Sequence, residues 1–134
     1  HDHPSFLLAL GMLPGDGVAP ATMRRTLDAV RASWDWETKI WGWDYPMMAM
    51  TAARLGDSEL AVDLLLKDGP NNHYLPNGHC PQRGDLMLYL PANGALLSAV
   101  ALMAGGWDGA EGSAPGFPHD GRWNVRVEGM LPLP

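Results

Sequence analysis

The sequence predicts a mainly α fold: a partial α/α toroid of about two helical hairpins, inner and outer helices alternating, closed by a short C-terminal β-strand or hairpin. Three observations carry this expectation. Four segments have helix-forming patterns, and in chain order they alternate between one-sided and uncharged throughout. The 16 Gly and 12 Pro of the 134 residues call for long, shaped loops between them. After residue 107 loop signals give way to period-two alternation.

The elements follow in order. Residues 5–13 are apolar and read as the end of a further inner helix, kept short by Pro4, Gly11 and Pro14. In residues 21–34, Met23, Leu27, Val30 and Trp34 recur at helical spacing, with Arg24, Arg25, Asp28 and Arg31 between them, so this helix is half exposed. Residues 45–53 carry no charge; Asp44 caps the start, Pro46 suits the first turn and Gly56 ends the helix, which should be buried nearly all round. Residues 57–67 are one-sided again, with Asp57 as cap and Leu60, Ala61, Leu64 and Leu65 on one face. Asn93 caps a last uncharged helix that ends at Gly105 and Gly106 and should also be buried. A four-helix bundle would instead give four helices with similar apolar stripes. Finally Trp123, Val125 and Val127 alternate with Asn124, Arg126 and Glu128 as one short strand.

The densest chemistry lies in residues 34–45, WDWETKIWGWDY, just before the first uncharged helix. Trp36, Trp41, Trp43 and Tyr45 there surround Glu37 and Asp44. Indole faces stack on the C–H face of a pyranose, while carboxylates accept hydrogen bonds from hydroxyls or transfer protons, so the cluster points to a saccharide. The competing reading makes the indoles wedges between helices. Glu37 and Asp44 are the candidate catalytic carboxylates, since glycoside hydrolysis uses two flanking carboxyl groups; Asp44 is better explained as a cap. The long loop of residues 68–91 adds His73, His79, Arg83 and Asp85, and Asn93 follows at the helix start, a polar set suited to sugar hydroxyls.

Other classes find little support. Nine Lys and Arg against 15 Asp and Glu give a net charge of −6, the wrong sign for nucleic acid or an anionic membrane surface. The longest nearly apolar run, residues 92–106, is about five residues too short to span a bilayer. The spacing of His73, His79 and Cys80 matches no recurrent zinc pattern, and no phosphate loop or nucleophile elbow occurs, so neither a metal nor a cofactor is expected. With one cysteine and no leader-like segment, the compartment is left open.

The phrases HPSFLLALGMLP, WGWDYPMMAMTAARLGD, YLPANGALLSAVALMAGGWDG and PGFPHDGRWNVRVEGM resemble the C-terminal part of six-hairpin (α/α)6-barrel glycosidases, the group that includes glycoside hydrolase families 65 and 95 and related bacterial proteins. The resemblance implies hydrolysis or phosphorolysis of glycosidic bonds in a pocket at the ends of the inner helices. It also implies that about two thirds of the barrel, including the principal acid, lies outside this sequence. In place of the late catalytic carboxylate of some members stands LPANG, with Ala92 and Asn93, so either the base lies elsewhere, at Asp85 or Glu37, or this branch uses other chemistry. The chain is therefore expected to be a piece of a larger protein, inactive alone, exposing apolar faces of both uncharged helices and self-associating or binding the rest of the barrel.

Overall fold

Four α-helices and one 3-10 helix form the structure, a computed structural model that describes residues 3–36 and 38–134. The 3-10 helix spans Ser5–Ala9, α1 Pro20–Ser33, α2 Asp44–Arg54, α3 Ser58–Leu66 and α4 Leu90–Gly105. Helix α2 is the centre, with α1, α3, α4 and the 3-10 helix all packed against it. Every residue from Asp44 to Ala53 is buried, as the uncharged run predicts, so the apolar face that a barrel fragment is expected to expose on this helix is absent. Small side chains at Ala49, Ala52 and Ala53 let the neighbours approach, and Met47, Met48 and Met50 fill the gaps between them.

The start of α1 lies beside the end of α2, where Arg24 reaches Asp57 at 2.8 Å and the Leu55 carbonyl at 3.2 Å. Its exit lies near the start of α2, where the Trp36 ring meets Tyr45. The two helices are thus antiparallel. Asp57 caps α3 as expected, accepting the Leu60 N–H at 3.2 Å, and the three-residue link from α2 makes α3 antiparallel too. Helices α2 and α4 run the same way. At their starts Trp41 packs on Tyr89; at their ends Arg54 sits 5.6 Å from the Trp107 ring centroid.

The 3-10 helix is held by the buried Thr51, whose hydroxyl donates to the Leu7 carbonyl at 2.9 Å, and by Arg54, which donates to the Gly11 carbonyl at 2.6 Å. Only five residues are helical there, because Pro4 precedes them and Gly11 packs against Thr51.

Two expectations are corrected at the C-terminal half. Helix α4 is not buried on all sides, as its uncharged run suggests, but exposes the apolar face expected of a fragment: Ala92, Ala99, Leu102, Met103 and Ala104 face inward, while Leu90, Leu97 and Val100 face solvent. The chain supplies elements to cover α2 completely but only one side of α4. No strand forms among the described residues either; residues 123–127 have no regular secondary structure and no ladder. A lone strand has no neighbour to pair with, so its backbone stays at the surface. The terminal residues instead return to the end of α4, where the Leu133 carbonyl accepts the Asp108 N–H at 2.8 Å. No helix among the described residues is long and apolar enough to cross a membrane.

The central position of α2 sets an expected contrast. Met48→Ala, at a fully buried position, should cost about 2–5 kcal/mol in urea unfolding. Leu97→Ala, at 72% exposure, should change stability by less than about 0.5 kcal/mol.

Candidate functional site

The starts of α2 and α4 lie side by side, and aromatic residues from three stretches of chain meet there. Trp41 and Trp43 come from the turn before α2, Tyr89 from the residue before α4, and His3 from before the 3-10 helix. Ring centroids are 5.1 Å apart for Trp41 and Tyr89, 5.8 Å for His3 and Trp41, and 4.7 Å for His3 and Trp43, edge-on in both His3 pairs. All four residues are half-buried, and Arg83 lies 5.6 Å over the Trp41 ring.

Gly42 makes the turn between the two indoles possible. A Cβ there would lie 2.6 Å from the Asn71 carbonyl oxygen and 2.9 Å from the Ala92 Cβ, so the long loop and α4 can press against the turn only if residue 42 has no side chain. Gln82 fixes the approach, its Oε1 accepting the Gly42 N–H at 2.8 Å and its Nε2 donating to the Asn71 carbonyl at 3.2 Å. Asn71 in turn donates to the Ile40 carbonyl at 2.6 Å.

Beneath the rings lies Asp44, fully buried. One carboxylate oxygen accepts the Trp41 N–H at 2.8 Å; the other lies 2.9 Å from His3 Nδ1. Asp44 thus occupies the first turn of α2 but braces the preceding turn and the imidazole, while the N-cap position belongs to Trp43. Burial pushes its carboxyl above the ordinary carboxylate range, and the Trp41 N–H and His3 draw it back. Burial raises the Tyr89 hydroxyl as well, and the Asp44 charge adds to that. His3 Nδ1 also lies 2.7 Å from Trp43 Nε1. An indole N–H only donates, so an unprotonated Nδ1 accepts from Trp43, whereas a protonated Nδ1 donates to Asp44.

The remaining candidates from the sequence divide. Arg83 and Asp85 belong to the rim: Arg83 Nε donates to Asp85 at 2.8 Å, and both side chains are exposed. Tyr45 is fully buried, with Trp36 against it, and presents no face to solvent. Trp36 instead lines a separate cleft between α1 and α3 with Arg31, Asp63 and Lys67. His73 is exposed in a shallow cleft with Asp68, Pro70 and Pro81. His79 is half-buried, its N–H donating to Asn77. Asn93 does not cap α4, which begins three residues earlier; its Nδ2 donates to the Gly78 carbonyl at 2.8 Å and ties the loop to the helix. Glu37 lies outside the described residues. Among those residues, no three His, Cys, Asp or Glu side chains gather as a metal site.

His3, Gln82 and Tyr89 were not singled out by the sequence as parts of this site. A signal for Tyr89 exists: Trp43-Asp-Tyr-Pro and Tyr89-Leu-Pro both put an aromatic residue just ahead of a proline in a first helical turn. Comparisons with protein-family models, curated proteins and solved structures gave no match to this chain.

Two outcomes follow from this geometry. The native Asp44 carboxyl keeps its proton to higher pH than in the unfolded chain, where it titrates near about 3.9. The stability it contributes is therefore fully present below about pH 4 and lost as pH rises through the native value. Asp44→Asn, isosteric and uncharged, should flatten that part of the stability–pH curve in urea unfolding. Gly42→Ala should destabilise by about 1–3 kcal/mol and increase tryptophan exposure to quencher, because the clash is with backbone and cannot be relieved by a rotamer change.

Proposed function

We propose that the chain binds saccharides at the His3, Trp41, Trp43, Arg83 and Tyr89 rim, as the C-terminal segment of a carbohydrate-active enzyme of the glycoside hydrolase or phosphorylase type. The observation that carries the reading is the pair of half-exposed indoles, Trp41 and Trp43, at the joined starts of two parallel helices. A pyranose offers an apolar face for Trp41 and hydroxyls for its surroundings. Arg83 covers that indole but is itself exposed, tethered among the described residues through Asp85 and the ring. A sugar ring takes its place over Trp41, and the displaced guanidinium and Asp85 then donate to and accept from the hydroxyls.

The same helix directions support a toroidal arrangement, with α2 and α4 as inner helices and α1 and α3 as outer ones, each outer helix antiparallel to α2. In such a ring the exposed face of α4, with Leu90, Leu97 and Val100, is where the next helices of the complete protein pack.

Asp44 acts in this reading as a positioning residue, since both of its oxygens are committed, to the Trp41 N–H and to His3. Asp85 is the carboxylate open to ligand. Hydrolysis needs an acid and an opposing base or nucleophile, so this chain alone is expected to bind without turnover. That engagement of Asp44 also favours a second reading, a non-catalytic carbohydrate-binding domain.

Titration of the chain with neutral disaccharides, followed by the indole N–H resonances of Trp41 and Trp43, tests the proposal. Saturable shifts are expected, with affinity falling by about tenfold or more in Trp41→Ala while circular dichroism stays helical. Absence of any response overturns saccharide binding at this rim. Turnover of an aryl glycoside by the chain alone overturns the role given to Asp44 if it is lost in Asp44→Asn.

A further inference from the structure

The loop that follows α4 builds a second cleft that shares no residue with the Trp41 rim. Its volume is about 520 Å³, within the usual range for small-ligand sites, and its walls include Ser113, Ala114, Phe117, His119, Trp123 and Asn124. The Phe117 and Trp123 rings meet at 5.3 Å with a 50° tilt, Phe117 buried as the base and Trp123 exposed at the edge.

The wall is fixed to the helical core. Gly116 donates its N–H to the Met103 carbonyl at 2.9 Å, and a Cβ on it would lie 2.4 Å from the Met103 Cα, so the loop lies flat on α4 only with glycine there. Ala114, the one non-glycine residue with positive φ among those described, at 49°, turns the chain into the cleft; the Phe117 N–H at 3.0 Å and His119 Nε2 at 3.4 Å both approach its carbonyl oxygen. On the other side Arg122 clamps the loop to α3, its Nη2 donating to both Glu59 oxygens, and its Nε pairs with Asp120.

The lining sets the ligand chemistry. Arg122, Asp120 and Glu59 pair outside the cleft, and its own polar groups are the hydroxyl of Ser113, the amide of Asn124 and the imidazole of His119 around an aromatic pair. Ser113 and Asn124 side chains make no hydrogen bond among the described residues, and both are exposed. Together these groups offer donors and acceptors, with no carboxylate, Lys or Arg among the lining residues, beside an indole edge.

We propose that this cleft is a second binding site, for a neutral saccharide ring. The sugar's C–H face packs on Trp123, and Asn124, Ser113 and His119 bond its hydroxyls. The site stands apart from the Trp41 rim and does not need that rim to bind.

Nuclear magnetic resonance of the labelled chain tests this, with maltose, cellobiose and lactose as neutral probes, a glucuronic-acid disaccharide as the anionic probe, and adenosine as an aromatic one. At least one neutral disaccharide should move the Trp123 indole N–H resonance saturably, with the anionic probe and adenosine weaker by about tenfold. Trp123→Ala should abolish the shifts of neighbouring amides, and Asn124→Ala, which removes no packing, should weaken binding about threefold or more. The Trp123 response should persist in Trp41→Ala, so failure at one site is distinguishable from failure at the other. No response of Trp123 to any neutral probe overturns the proposal. A response to adenosine or the uronide equal to that for the neutral sugars overturns the ligand class.

Discussion

Helix α2 has no side left for solvent, and the rest of the molecule is arranged by the need to enclose it. A helix without charges from Tyr45 to Ala53 is stable in water only if every face finds a partner. The chain supplies α1 and α3 on two sides, α4 on a third and the 3-10 helix on a fourth. Two polar side chains within this enclosure hold neighbours to the helix. Thr51 holds the 3-10 helix to the core, and Asp44 ties the start of α2 to the turn that leads into it.

Because α2 is enclosed by elements from both directions along the chain, its two ends have different characters. At its C-terminal end Arg54 bonds the Gly11 and Pro134 carbonyls and covers Trp107, gathering three backbone segments around one cation. At its N-terminal end a carboxyl group does the gathering. Asp44 lies in the first turn, where the positive end of the helix dipole favours a carboxylate even as burial opposes it. The rim of rings above it is held by the two hydrogen-bonding oxygens of this one side chain, by Gly42 yielding space and by Gln82 bridging turn and loop.

Much of this was legible in the sequence, and the parts that were not share a cause. The limits of α1, α2 and α3 follow from local spacing, prolines in first turns and the Asp57 cap, all properties of neighbouring residues. The start of α4 was misread because Asn93 looks like a cap, whereas Pro91 already belongs to the first turn and Asn93 serves a tertiary bond to Gly78. The alternation at residues 123–127 does not become a buried face: Val125 reaches the core and Trp123 meets Phe117, but Trp123 and Val127 are exposed, because a strand needs a partner that local pattern cannot supply. The same holds at the rim. Trp41 and Trp43 stood out by their density, while His3 reaches Trp43 from 40 residues away and Tyr89 arrives through the long loop. Their meeting is a property of packing.

The parallel course of α2 and α4 carries a consequence for the order in which the molecule assembles. Helices α2 and α3 are joined by a three-residue link and can dock as a local hairpin with little loss of chain entropy. The Trp41–Tyr89 contact must close a loop of about fifty residues, and the entropy of that closure is recovered only once the packing beneath is in place. The rim therefore belongs to the least local layer of the structure. The entropy cost of bringing its rings together exceeds that of docking the hairpin that supports them. A ligand bridging Trp41 and Tyr89 would act on folding as well as on binding, drawing the population toward the closed form in proportion to its affinity for the assembled rim.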